Sequence, residues 1–324
     1  MGQDFVEQVT SDLWLSAAKG WIRHRLAEHG MEVRSIEQRR VRPWSTGLVA
    51  STDAGPMYFK ASCPAMSFEP AVHAALAEIE PHEVDQPLAI DARRGWLLTR
   101  GRGQTLQERG GTTTADWTTV VRRTAAQQRR LASHGVRLRA AGLPDQSLPT
   151  VVARFDRLVD ELHELPADHP CRLTDADRQT LAHGRPGLVA AVAELAEHRL
   201  LPSFQHGDLH PGNVLVVGDD LRVFDVGDAM WSHPLEVLVV PWGFTRLEGG
   251  PLWRPIVAAW AAGWGGETEA GDIERIWPSV LRVHGANRAQ TWWGALATAS
   301  GQPLRDWADA PRHYLLRAAG VDPR

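Results

Sequence analysis

The chain is short of cysteine, lysine, net charge and long apolar runs, and each shortage excludes a class of protein. Only Cys63 and Cys171 are present among 324 residues, so neither a disulfide framework nor a four-thiolate zinc site can be built. No apolar run nears the roughly 18 residues that a membrane helix needs, and Val237-Leu238-Val239-Val240 is cut off by Pro241. The first thirty residues mix acidic, basic and apolar side chains, with no apolar core of secretory type. The expectation is a soluble, cytoplasmic protein with reduced thiols and no membrane partner. With 39 acidic against 35 basic side chains and a formal net charge of -4, a generally basic nucleic-acid binder is excluded, because its affinity would need clustered phosphate-neutralising charge.

What is present is ordinary in bulk: 43% hydrophobic and 23% charged residues, enough for a globular chain of one large domain or two moderate lobes. Lys19 and Lys60 are the only lysines, against 33 arginines. The skew is that of a GC-rich coding bias and carries no function, but it singles out each remaining lysine.

Ser11 to Glu28 spaces Leu13, Leu15, Ala18, Ile22 and Leu26 as a helix, closed by Gly30. Val33 to Val41, Leu48 to Thr52 and Met57 to Ala61 read as strands, with Asp53-Ala54-Gly55-Pro56 as a turn. A helix over Phe68 to Ile79, a strand near Pro87 to Ala89 and a short apolar strand, Gly95 to Thr99, follow before Arg100-Gly101-Arg102-Gly103. Thr114 to Arg199 is mostly helical, with breaks at Gly142-Leu143-Pro144 and between Pro166 and Pro170. Phe204 to Val226 returns to strands and loops, and the remainder is helical and rich in tryptophan. The expected fold is α+β and bilobal, with a small β-rich lobe over 1–101 and a larger helical lobe over 102–324.

The run Phe204-Gln205-His206-Gly207-Asp208-Leu209-His210-Pro211-Gly212-Asn213 enters the apolar strand Val214-Leu215-Val216. After a turn at 218–220, a second strand, Leu221 to Phe224, ends in Asp225-Val226-Gly227-Asp228. Such a hairpin brings Asn213 and Asp225 to neighbouring strand ends, close to Asp208. Phosphoryl transfer needs that set. A carboxylate must orient the attacking hydroxyl and take its proton, and hard oxygen donors must hold Mg²⁺ against the phosphates. Two other readings compete. Asp225 and Asp228 could be turn and cap residues, and His206-x-Asp208-x-His210 could hold the metal of a hydrolase. The latter would not need Asn213 at its offset or an Asp-x-Gly one strand later.

His206-Gly207-Asp208, Asn213 five residues on, and Asp225-Val226-Gly227 together resemble the signature of the aminoglycoside phosphotransferase and choline kinase superfamily, whose fold is protein-kinase-like. The resemblance implies that Asp208 is the catalytic base, that Asn213 and Asp225 are metal ligands, and that His206 is the structural histidine of the catalytic loop. It also implies a lysine on the third strand and a glutamate on the next helix to grip the α- and β-phosphates, which Lys60 and Glu69 supply. At a strand end where arginine would otherwise be used, a retained lysine fits the need for a compact ammonium. Trp96 to Gly103 resembles the hinge of that family, whose backbone around Thr99 and Gly101 would bond a purine edge. The Gly-x-Gly-x-x-Gly loop of protein kinases is missing. Pro43-Trp44-Ser45-Thr46-Gly47 stands as the turn between the first two strands, where Ser45 and Thr46 could meet phosphate oxygens. No Ala-Pro-Glu follows Asp225 either, so a small-molecule kinase is favoured over a protein kinase.

The implied reaction passes the γ-phosphate of ATP or GTP, with Mg²⁺, to a hydroxyl of a small molecule such as an aminoglycoside-like antibiotic, amino sugar or amino alcohol. A kinase acting on a peptide or protein in natural-product biosynthesis and a non-catalytic pseudokinase binding module are the alternatives. Residues 245–324 contain eight acids and nine arginines with no acidic cluster, which weakens a strictly cationic acceptor. Trp253, Trp260, Trp264, Trp292 and Trp293 could stack on a planar substrate, although their spacing also suits a helix core.

Overall fold

The computed structural model describes residues 4–100, 103–198, 200–218 and 220–321. In chain order, helices α1 (Phe5–Thr10) and α2 (Asp12–Glu28) lead into strands β1 (Val33–Val41), β2 (Ser45–Thr52) and β3 (Gly55–Ser62), helix α3 (Glu69–Ile79), and strands β4 (Ala89–Asp91) and β5 (Trp96–Arg100). Helices α4 (Thr114–Leu131), α5 (Gly135–Ala140), α6 (Leu148–His163) and α7 (Asp175–Glu197) follow. Strands β6 (Ser203–Gln205), β7 (Val214–Val217), β8 (Asp220–Val223) and β9 (Met230–Ser232) come next. Helices α8 (Val239–Thr245), α9 (Trp253–Trp264), α10 (Ala270–Leu296), α11 (Gly301–Arg305) and α12 (Asp309–Ala318) complete the chain. Two compact units result. The first gathers 4–100 with 140–143 and 292–308, and the second holds the rest of the described residues. Residues 292–308 thus group with the strand-rich unit, which their helical periodicity could not show.

The first unit is built on an antiparallel five-stranded sheet in the order β1-β2-β3-β5-β4. Helix α2 begins where the Ser11 hydroxyl accepts from the Trp14 amide and ends at Gly30, whose φ of 70° is open to glycine without strain. Its apolar face (Ala18, Trp21, Ile22 and Leu26) packs on Leu48, Phe59, Trp96 and Leu98 of the sheet. Trp21, Phe59 and Trp96 meet edge to face at 5.5–5.8 Å between centroids, the geometry that ring quadrupoles favour.

Three local expectations need correction. Helix α1 has no counterpart in the sequence reading, because six residues are too few to show a period. The turn between the first two strands is shorter than 43–47. Ser45, Thr46 and Gly47 already belong to β2, opposite Ser62, Ala61 and Lys60 of β3, leaving only Arg42, Pro43 and Trp44 between strands. The helical remainder does not begin directly after Val226, for β9 pairs antiparallel with β6. All three residues of β9 are buried, so no in–out alternation marks it.

In the second unit, Thr113 and Thr174 cap α4 and α7 in reciprocal capping boxes with Asp116 and Asp177. Helix α4 lies so close to α9 that a Cβ on Gly263 would strike the Arg122 carbonyl. The α4 side chain Gln128 is fully buried and fully used. It donates to the carbonyls of Phe204 and Pro234, both at 3.1 Å, and accepts from the Trp260 indole at 3.1 Å. That hub fixes β6, the strand that delivers the motif.

Candidate active site

The motif starts where β6 ends. His206 is buried, and its two ring nitrogens have opposite duties. Nδ1 lies 3.3 Å from the backbone N–H of Asp208, so it accepts, and Nε2 therefore carries the proton and donates to the Phe224 carbonyl at 2.9 Å. Burial pushes its pKa down, which keeps this neutral tautomer. A single ring thus ties the loop at Asp208 to the residue before Asp225. Gly207 has φ of 82°, and a Cβ there would overlap the Asp228 carbonyl oxygen. The position accepts glycine alone, because both the backbone conformation and the space forbid a side chain. The Gln205 side-chain carbonyl accepts from the Gly207 amide.

The β7–β8 hairpin pairs Val214 with Val223, and the Phe224 amide donates to the Asn213 carbonyl at 3.0 Å. Asn213 and Asp225 therefore stand at adjacent strand ends. The Asn213 amide nitrogen donates to the Asp208 carbonyl at 2.9 Å, with Asp208 Oδ2 at 3.5 Å, so the amide oxygen is the end not spent on this loop. Asp225 has φ of 67° and is the one non-glycine residue with positive φ among those described. Aspartate tolerates this conformation at some cost, and such strain gathers at functional sites.

Sequence reasoning missed the charged partner of Asp208. Arg288 on α10 is 8% exposed. Its Nη1 donates to Asp228 Oδ1 at 2.5 Å, and its Nη2 lies 4.0 Å from Asp208 Oδ1. Burial works against the guanidinium charge, yet Asp228 and Asp208 hold it more firmly protonated than usual. Burial pushes the Asp208 carboxyl above the usual carboxylate range; Arg288 opposes that shift and Asp228 adds to it. Nothing local in the sequence marks Arg288, which lies 80 residues from Asp208. His210 Nδ1 accepts from the Gly212 amide at 3.0 Å, with Nε2 3.6 Å from Asp208 Oδ2. Both nitrogens of His206 are spent on backbone, so His206-x-Asp208-x-His210 has no ring lone pair at His206 to give a metal. The hydrolase reading falls on that count.

In the first unit, Lys60 of β3 reaches Glu69 at the start of α3, with Nζ 2.8 Å from Oε1. The Ser62 hydroxyl donates to the other carboxylate oxygen at 2.7 Å. Glu69 is 2% exposed, and both of its oxygens are engaged. Ser62 is a second omission of the sequence reading. Ser45 and Thr46 are buried in β2 rather than presented on a turn. The Thr46 hydroxyl is spent within the unit, donating to the Arg40 carbonyl at 2.8 Å and accepting from Gln38. Thr99 lies in β5 opposite Tyr58, and Gly101 lies outside the described residues. Of the C-terminal tryptophans, Trp260 and Trp264 are buried and stacked at 5.2 Å, so these two serve the core.

The profile of the phosphotransferase enzyme family matches residues 52–273. Among solved structures, the ethanolamine kinase of Plasmodium vivax is 11% identical, covers 98% of this chain and 92% of its own, and superposes with a TM-score of 0.66. The choline kinase LicA of Streptococcus pneumoniae is 12% identical, with coverage of 92% and 99% and a TM-score of 0.59. An aminoglycoside 2'-phosphotransferase-IIIa variant in its GDP complex is 17% identical, with coverage of 92% and 95% and a TM-score of 0.58. No curated protein matches the sequence. At these identities the likeness establishes the protein-kinase-like fold, and the profile establishes kinship: the chain belongs to the phosphotransferase enzyme family, within the aminoglycoside phosphotransferase and choline kinase superfamily.

Proposed function

We propose that the chain is a cytoplasmic kinase that transfers the γ-phosphate of ATP or GTP to a hydroxyl of a small molecule such as an aminoglycoside-like antibiotic, amino sugar or amino alcohol. The observation that carries this reading is the constellation of Asp208, Asn213 and Asp225 on one loop and hairpin, tied together by His206 and by the Asn213 amide. Asp208 accepts the proton of the acceptor hydroxyl as its oxygen attacks the γ-phosphorus, and the nucleoside diphosphate leaves. A carboxyl pushed upward by burial is a better match to a proton taken near neutrality than an ordinary aspartate. Lys60, oriented by Glu69, grips the α- and β-phosphates as a compact ammonium. The Thr99 and Gly101 backbones are the proposed contacts to the purine edge.

The donor chemistry fits Mg²⁺. The Asn213 amide oxygen and the Asp225 carboxylate are hard ligands, few in number, with room for phosphate oxygens and waters. When bound, the ion would neutralise charge on the transferring phosphoryl group. The complete set of Lys60, Glu69, Asp208, Asn213 and Asp225 favours catalysis over a pseudokinase role. A panel of hydroxylated antibiotics, amino sugars and amino alcohols, incubated with ATP or GTP and Mg²⁺, tests the reading. Acceptor-dependent release of nucleoside diphosphate is expected, and its absence with every acceptor would count against a small-molecule kinase.

A further inference from the structure

The first unit contains a cavity of about 560 Å³ that takes no part in the proposed chemistry. Its size is in the range of small-molecule sites. Helices α1 and α2 form one side, the end of β3 and the segment after it the floor, and the turn between β4 and β5 the other side. Trp14 supplies the aromatic wall, packed edge to face on the buried Trp96 with centroids 5.8 Å apart and planes at 80°. Leu13, 84% exposed, stands at the rim.

The ionisable lining is cationic, with one of its two arginines ion-paired to Asp91 just outside it. Arg93 and Arg94 are its only ionisable side chains, with no carboxylate among the residues that form it. Arg94 is held in place. Its guanidinium lies 4.1 Å from the centre of the Trp96 ring, and its Nε donates to Asp91 at 2.7 Å. A guanidinium fixed through Nε still presents its terminal N–H groups, the geometry that recognises carboxylates and phosphates. Arg93 makes no ion pair among the described residues and is exposed. An arginine with no ion pair among the described residues and a second held by Asp91, beside Trp14 in a cavity of this volume, give the site an apolar wall and an anionic preference.

We propose that this cavity binds an amphipathic anion: a flat aromatic or similarly apolar body bearing a carboxylate, sulfonate or phosphate, with its charge on Arg93 and the free N–H groups of Arg94 and its body against Trp14. The floor includes Ser62, whose hydroxyl holds Glu69. A bound ligand therefore lies against the residue that orients the partner of Lys60.

The test uses the full chain and 8-anilinonaphthalene-1-sulfonate as probe, with N-phenyl-1-naphthylamine as its uncharged counterpart. Saturable binding of the sulfonate at one site is expected, weakened about tenfold in Arg93→Glu, as for loss of one charge-assisted contact. It should be abolished in Ala17→Trp, which fills the mouth from an exposed helical position. The uncharged probe should bind about tenfold more weakly than the sulfonate and be insensitive to Arg93→Glu. Circular dichroism and melting temperature show that both variants are folded. Equal sulfonate affinity in the wild type and both folded variants would overturn the proposal, as would complete competitive displacement by ATP. None of these readouts requires phosphotransfer, so failure of the kinase reading would leave the result for the cavity intact.

Discussion

The side-chain amide of Asn213 donates to the backbone carbonyl of Asp208 at 2.9 Å, so a residue five positions downstream fixes the loop that carries this carboxylate. The same bond spends the amide nitrogen and leaves the oxygen for another partner. Replacing Asn213 by Ala should therefore raise the Mg²⁺ concentration for half-maximal turnover by about tenfold or more, the scale of a lost ligand. A magnesium titration of the variant checks this; an unchanged requirement would remove Asn213 from the metal site.

Lys60 and Lys19 separate function from composition. Lys60 is engaged with a buried carboxylate at 2.8 Å, whereas Lys19 is half-buried on α2 and has no assigned role. Lys60→Arg should weaken nucleotide binding about tenfold, because a planar fork replaces a point charge beside a buried carboxylate whose two oxygens are both engaged. Lys19→Arg should bind nucleotide as the wild type does. Equal affinity for the two variants in a calorimetric titration would take Lys60 out of the phosphate site.

Gly207 is irreplaceable for two reasons at once, its φ of 82° and the Asp228 carbonyl beside it. Gly218 has φ of 61° but open space around it. Gly207→Ala should destabilise the chain by at least about 2 kcal/mol and abolish turnover, while Gly218→Ala should cost only about 1 kcal/mol. Urea melts of the two variants should differ in midpoint in that order; similar midpoints would mean that the loop has room to shift.

His233 is 2% exposed, and neither ring nitrogen has a hydrogen-bond partner among the described residues. Burial lowers its pKa to about 3 from an ordinary 6.5. A base whose folded pKa is depressed contributes its full stability above the unfolded value and loses it as pH falls from about 6.5 toward 3. His233→Leu should melt at or above the wild-type temperature at pH 7, since an unpaired buried polar group is removed. Its advantage should widen as the pH is lowered to 5. A constant difference in melting temperature between pH 7 and 5 would show that His233 does not titrate with unfolding.

Much of this was legible in the chain. Helix α2 declared itself by its apolar spacing, and the composite motif singled out Asp208, Asn213 and Asp225, which the structure brings together on one loop and hairpin. Lys60 stood out through scarcity, and its contact with Glu69 agrees with the strand-then-helix order. What escaped were relations with no local signature. Arg288 reaches Asp228 from a helix far along the chain, Ser62 secures Glu69 from within a strand, and β9 is buried on every side, so that its periodicity vanishes. Ser45 and Thr46 looked like turn residues because small polar side chains favour turns. Pairing with β3 took them into the sheet, a tertiary effect that propensity does not carry.

The central claim is that Asp208 takes the proton of the acceptor. The most direct test compares wild type and Asp208→Asn in acceptor-dependent release of nucleoside diphosphate, with nucleotide affinity measured alongside. The account predicts a fall in turnover of about a hundredfold or more, with nucleotide affinity within about threefold of wild type. Undiminished turnover in the folded variant would contradict it.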